Sequence, residues 1–167
     1  EGLWRTVDAG STWQQILTNR VFDIKFNVES ADIVYAISQV GNSFDFQIST
    51  NGGQSFQAND AFPKGIQVVD GARMGVTLAN KNKIIIVMLS DRPEVYKGLY
   101  SGSDWSWTKV ASGGTTELEM DNGQGYYDFA VDMSQTNENE YIVATTTCFK
   151  TINDGISFTP IGGYYGP

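Results

Sequence analysis

The chain has 167 residues, with 11 basic against 19 acidic side chains, a net charge of −8 and no histidine. That length suits one ordinary domain, and the negative balance argues against a nucleic-acid backbone or an anionic membrane as main partner. Without histidine there is no Ser-His or Cys-His nucleophile pair and no His-based metal site, so any catalysis falls to Asp, Glu, Tyr, Lys or Arg.

In chain order, "GLWRT" and "WQQIL" read as two strands flanking the octapeptide "TVDAGSTW", Thr6 to Trp13. Glu1 opens the chain inside an apparent strand, which predicts a processed chain or a fragment. Next, "VFDIKFNVESADIVYAISQ" predicts a strand pair turning at Glu29 to Asp32. "FDFQIST" leads into a second octapeptide, "STNGGQSF", Ser49 to Phe56, followed by "SFQAN". After a long loop, Asn59 to Arg73, "GVTLANKNKIIIVMLS" predicts a second pair turning at Asn80 to Lys83. "GLYSG" and "WTKVA" flank a degenerate copy, "SGSDWSW", Ser101 to Trp107, one residue shorter and lacking the glycine. Another long loop, Ala111 to Tyr127, precedes "YYDFAVDMSQTNENEYIVATTT", a third pair turning at Gln135 to Asn139. "CFKT", the octapeptide "TINDGISF" (Thr151 to Phe158) and "SFTPI" close the series.

The shared pattern is Ser/Thr, any, Asp/Asn, any, Gly, any, Ser/Thr, aromatic. Its closing aromatics, Trp13, Phe56, Trp107 and Phe158, are spaced by 43, 51 and 51 residues. One octapeptide is weak; four copies at a near-constant period mark a repeat. Each period holds four strands and no helical pattern, the signature of a β-propeller blade with strands A to D from the axis outward. The expected fold is therefore all-β, a propeller segment of about three and a half antiparallel blades with the octapeptides between strands C and D. Residues 1–20 form a half blade, 21–61, 73–112 and 126–161 three blades, and 162–167 the start of the next loop. Known propellers need at least about four blades, so open sheet edges would result. The expected partners are the remaining blades, on the parent chain, a cleaved partner or a second copy.

Within the turn, Gly10, Gly53 and Gly155 supply positive φ without steric cost. Asp8, Asn51 and Asn153 accept hydrogen bonds from backbone N–H groups. Exchange of Asp for Asn between copies fits an acceptor and not a general acid. Trp13, Phe56 and Phe158 are expected to pack between neighbouring sheets. The box holds too few carboxylates for a Ca²⁺ site. The single cysteine, Cys148, excludes an internal disulfide and is expected as a buried thiol. The longest apolar run, "KIIIVML", is seven residues, too short to span a membrane.

The octapeptide resembles the Asp-box, or BNR, repeat, Ser/Thr-x-Asp-x-Gly-x-Thr-Trp, found in sialidases, xyloglucan-degrading hydrolases, sortilin-type receptors and secreted bacterial propellers. The strands between the boxes resemble the sortilin and xyloglucanase-like group. The resemblance implies a structural box on the outer rim, a secreted or cell-surface location and no cofactor. It implies three functional readings. The leading one is a binding or scaffold module for glycan or protein; the alternatives are part of a glycoside hydrolase and a sortilin-like peptide-binding propeller. Sialidase chemistry fits poorly: of the four arginines, Arg5, Arg20, Arg73 and Arg92, only Arg20 and Arg73 fall near strand A starts.

Ligands of propellers usually meet the D-to-A and B-to-C loops. Asp23 and Asp128 are placed near strand A starts facing the channel, as candidate catalytic carboxylates or as an ordinary blade feature. Tyr126, Tyr127, Tyr164 and Tyr165, in two Gly-Tyr-Tyr segments, are candidate ligand contacts for sugar rings or a peptide; alternatively they plug the channel or begin strand A. The loop with Glu117, Glu119, Asp121 and Asn122 reads as solvated rather than as a metal site.

Overall fold

The computed structural model describes residues 1–90, 92–113, 118 and 130–163. Strands and turns account for the described secondary structure, with no helix among those residues. β1 (Leu3–Arg5) and β2 (Gln14–Leu17) form a two-stranded antiparallel sheet. β3 (Val21–Phe26), β4 (Val34–Val40), β5 (Ser43–Ser49) and β6 (Gln57–Ala58) form a four-stranded sheet in chain order. β7 (Ala72–Val76), β8 (Lys83–Leu89), β9 (Pro93–Tyr100) and β10 (Trp105–Ser112) form the second. β11 (Ala130–Met133), β12 (Tyr141–Ala144), β13 (Thr147–Thr151) and β14 (Thr159–Gly163) form the third. Every pairing is antiparallel between consecutive strands.

The sheets stack face to face, and the composition of β8 shows why. Lys-Ile-Ile-Ile-Val-Met-Leu is buried along its whole length. Side chains alternate across a strand, so Ile84, Ile86 and Met88 enter one core with Phe44, Phe46 and Met74 of the first and second sheets. Ile85 and Val87 enter the other, with Met133, Tyr141 and Val143 of the third. A strand with a sheet on both sides needs apolar residues at every position, which explains a continuous run instead of alternation. β3 and β11, by contrast, are half-exposed.

Polar ties also cross between sheets. Thr77 Oγ1 donates to Ser134 O at 2.5 Å, and the Gln135 side chain bonds Leu78 N and Val76 O at 2.9 and 3.1 Å. Lys83, with a side chain 3% exposed, donates to Glu138 O at 2.7 Å and pairs with Asp154 at 2.5 Å, which also holds Lys97 at 2.6 Å. Burial pushes the Asp154 carboxyl up, but the hydrogen bonds and charges of the two lysines outweigh it and hold it below its ordinary value.

Cys148 differs from expectation: it is half-buried, not buried. Its cross-strand partners are the small Ala144 and Gly162, and Gly162 has no side chain to cover it and open space where one would be.

Candidate functional site

Three of the four octapeptides fold into the same turn. The first hydroxyl accepts from the glycine N–H: Gly10 to Thr6 at 3.0 Å, Gly53 to Ser49 at 2.9 Å and Gly155 to Thr151 at 2.9 Å. The Asp or Asn side chain then accepts from the backbone four residues on: Thr12 N to Asp8 at 2.9 Å, Ser55 N to Asn51 at 3.0 Å and Ser157 N to Asn153 at 3.0 Å. The second hydroxyl adapts to its partner. Thr12 donates to Asp8 Oδ2 at 2.6 Å, whereas Ser55 and Ser157 accept from the amides of Asn51 and Asn153 at 2.9 Å. A hydroxyl serves either role, so Asp and Asn interchange. Hydrogen bonds from the Thr12 side chain and backbone, then from Thr6, hold the Asp8 carboxyl down to about 2. Two left-handed residues shape each turn, Ala9 and Gly10 (φ 55° and 91°) and their counterparts Gly52–Gly53 and Asp154–Gly155.

Trp13 departs from the expected packing between sheets. It is 57% exposed, its indole N–H bonded to Gly10 O at 3.0 Å. Trp107 shows what such a ring contacts: Phe46 of the preceding sheet and Phe62 of the loop that follows it, at 4.9 and 5.0 Å. Trp13 lies in the turn between β1 and β2, and none of the described sheets stands before that pair. Phe56 is half-buried, and Phe158 packs edge-on to Tyr141 at 6.0 Å.

The register corrects the degenerate copy. Val34, Ile84 and Tyr141 are equivalent, each standing one residue after a turn closed by the same hydrogen bond. They pair with Ser49, Gly98 and Thr151. The counterpart of the first Ser/Thr is thus Gly98, not Ser101. Gly98 lies opposite Trp107, and a Cβ there would meet that ring at 2.6 Å. The copy runs from Gly98 to Trp107 and is longer than its sisters, not shorter. It adds the cross-strand pairs Leu99–Ser106 and Tyr100–Trp105, closed by a turn in which Ser101 N bonds Asp104 O at 2.9 Å.

The same register places the candidate carboxylates. Asp23 pairs with Ile37, and the equivalent positions are Arg73 and Ala130. Asp23 Oδ1 accepts from Ile24 N at 2.9 Å and Oδ2 from Met74 N at 2.8 Å, which ties β3 to β7. Arg73 donates back to Phe22 O at 3.0 Å. Asp128, Tyr126, Tyr127, Tyr164 and Tyr165 lie outside the described residues, as does the acidic loop Glu117, Glu119, Asp121 and Asn122.

On the side of the sheets where the A-to-B and C-to-D turns lie, the extended hairpin walls a groove that sequence reasoning missed. Its volume is about 460 Å³. Tyr100 and Trp105 form one wall; Tyr35, Ile48 and Gln57 of the first four-stranded sheet and Asn59 just after it line the other, with Asn27, Glu29, Lys81 and Asn82 at the turns. Trp105 stacks on Trp107 (centroids 5.7 Å, 18°), sits 5.4 Å from Tyr100 and meets Tyr35 and Phe46 edge-on at 5.8 and 5.6 Å. Glu29 and Lys81 pair at 2.8 Å. The available signal was Trp-x-Trp: residues two apart on a strand share a face.

No family model matches the chain, and no curated protein matches it. Solved structures do. The GH74 enzyme of Niastella koreensis superposes with TM-score 0.68 at 17% identity, over 95% of this chain and 26% of that one. The GH74 xyloglucanase of Xanthomonas campestris gives 0.65 at 12% identity, over 95% and 26%. YCF48 from Cyanidioschyzon merolae gives 0.58 at 12% identity, over 86% and 40%, and a structure of YCF48 bound to D1 peptide gives the same score. The chain thus spans well under half the length of these propeller proteins. At such identities the likeness shows the fold alone: this all-β chain, with its four-stranded antiparallel sheets, has the architecture of part of a β-propeller.

Proposed function

We propose that this chain is a segment of a secreted or cell-surface β-propeller with Asp-box turns, completed by further blades, and that it is a binding or scaffold module for a glycan or protein. The observation that carries this reading is the groove beside the extended hairpin: an aromatic wall, amide side chains at its margin and an internally neutralised ion pair. A concave site that combines an aromatic wall with placed polar side chains suits ligand recognition. Among the described residues the one carboxylate lining it, Glu29, is held by Lys81, whereas glycoside hydrolysis generally uses two carboxylates. Asp23, engaged with two backbone N–H groups, is assigned to joining strands. Tyr126, Tyr127, Tyr164 and Tyr165 are proposed as further contacts on the opposite, D-to-A loop side.

The likeness to two GH74 structures favours a second reading, part of a glycoside hydrolase with Asp128 as one carboxylate. The full-length parent separates the two in an assay of polysaccharide hydrolysis and retention on immobilised glycans or peptides. The binding reading expects retention without release of reducing ends, weakened by Tyr126→Ala. Hydrolysis abolished by Asp128→Asn would overturn it in favour of the enzyme.

A further inference from the structure

We infer that the groove between the first two four-stranded sheets is a saccharide site, taking a neutral oligosaccharide whose sugar face packs on Tyr100 and Trp105. This deepens the binding-module reading and rests on it. The first ground is the hairpin. Its two extra pairs hold Tyr100 and Trp105 at the groove in a half-buried state, where a turn like the three others would end the strands earlier. The second is rigidity. Trp105 is fixed by contacts with Trp107, Tyr35 and Phe46, so little side-chain freedom is lost when a ligand packs there.

The third ground is chemistry at the margin. The side-chain amides of Gln57 and Asn82 and the indole N–H of Trp105 make no hydrogen bond with other described residues. An amide offers a donor and an acceptor together, which matches neighbouring hydroxyls on a sugar, while the C–H face of the same sugar matches an aromatic wall. The fourth is charge. Glu29 and Lys81 cancel each other at 2.8 Å, which leaves no net charge to select an ionic ligand.

Isothermal titration of the full-length parent against neutral hexaoses of glucose, xylose, mannose and N-acetylglucosamine tests this, with hexagalacturonate and an extended-peptide library as comparisons. A neutral hexaose is expected to bind. Gln57→Ala and Asn82→Ala, which remove no internal hydrogen bond, are each expected to weaken it about fivefold with the melting midpoint unchanged. Trp105→Ala is expected to abolish binding and Trp105→Phe to restore part of it. Failure of every neutral hexaose, preference for the acidic sugar or a peptide, or binding indifferent to both amide variants would overturn the inference. Indifference would still leave a binding module with its site elsewhere. The parent's hydrolysis assay is the result that would remove the module reading itself.

Discussion

Asp154 occupies the first left-handed position of its turn, at φ 60°, where the sister turns have Ala9 and Gly52. A non-glycine residue there carries backbone strain, and its carboxylate supplies the compensation. It neutralises Lys83, whose side chain is 3% exposed, and reaches Lys97 from the other oxygen. Replacing it by Asn leaves the Lys83 ammonium buried with Glu138 O as its remaining acceptor among the described residues. Removing one partner of a buried ion pair typically costs about 3–5 kcal/mol; with Asp154 itself 26% exposed, the lower end, about 3 kcal/mol, is expected for Asp154→Asn. The pH dependence has a defined sign. The folded carboxyl lies below its ordinary value of 3.8, so its contribution is complete above that value and is lost as pH falls through the lower, folded one. Urea unfolding should therefore show a wide gap between Asp154→Asn and the unmodified chain at pH 7, narrowing below pH ~4. An equal gap at both pH values would mean that the carboxylate charge is not the cause.

The β9–β10 hairpin is where an element departs from its repeat, and Gly98 makes the departure sterically workable. The Trp107 ring lies over it, and a Cβ would stand 2.6 Å from ring carbons. Gly98→Ala is expected to displace Trp107 from Phe46 and Phe62 and to break its 3.0 Å bond to Asn59. A cost of about 2 kcal/mol is expected, typical of overpacking, together with a red shift of tryptophan emission and weaker binding at the groove. A melting curve unchanged by Gly98→Ala would place the ring elsewhere. The same hairpin shows what the sequence does and does not carry. Turn chemistry is local, so the roles of Thr6, Asp8 and Gly10 can be reasoned from eight residues, and the alternating strands from about twenty. Register is not local. Ser101 resembles the first box position, and only pairing with Ile84 reveals that Gly98 holds it. The groove is further removed still: its walls come from residues around 27–35, 48–59, 81–82 and 100–105. No linear pattern shows that Gln57 and Trp105 share one cavity. Cys148 failed for a related reason, since its apolar neighbours in sequence say nothing of the glycine across the strand.

At the scale of the molecule, what is unfinished is a face and an edge. β1 pairs with β2 alone. Trp13 is 57% exposed, Trp4 49%, Phe26 56% and Ile24 40%, although residues of this size are usually well covered. Trp107, at the same box position, finds its cover on the sheet before it and the loop that follows that sheet. By that rule Trp13 and the free edge of β1 are expected to be covered by the further blades proposed above. The matched propeller proteins have more than twice the length over which this chain superposes, which accords with additional blades. An apolar face beside an unpaired strand promotes association. The 167-residue chain on its own is therefore expected to self-associate, its sedimentation coefficient rising with concentration. Trp13→Ser combined with Phe26→Ser should lower that tendency without lowering the melting midpoint, because neither ring is buried. Supplying the missing blades on a longer chain should suppress association and raise the midpoint together, since ordering an uncovered face adds buried apolar area. A concentration-independent monomer, equally stable with and without added blades, would show that this face needs no cover and that the half-sheet is itself a finished end.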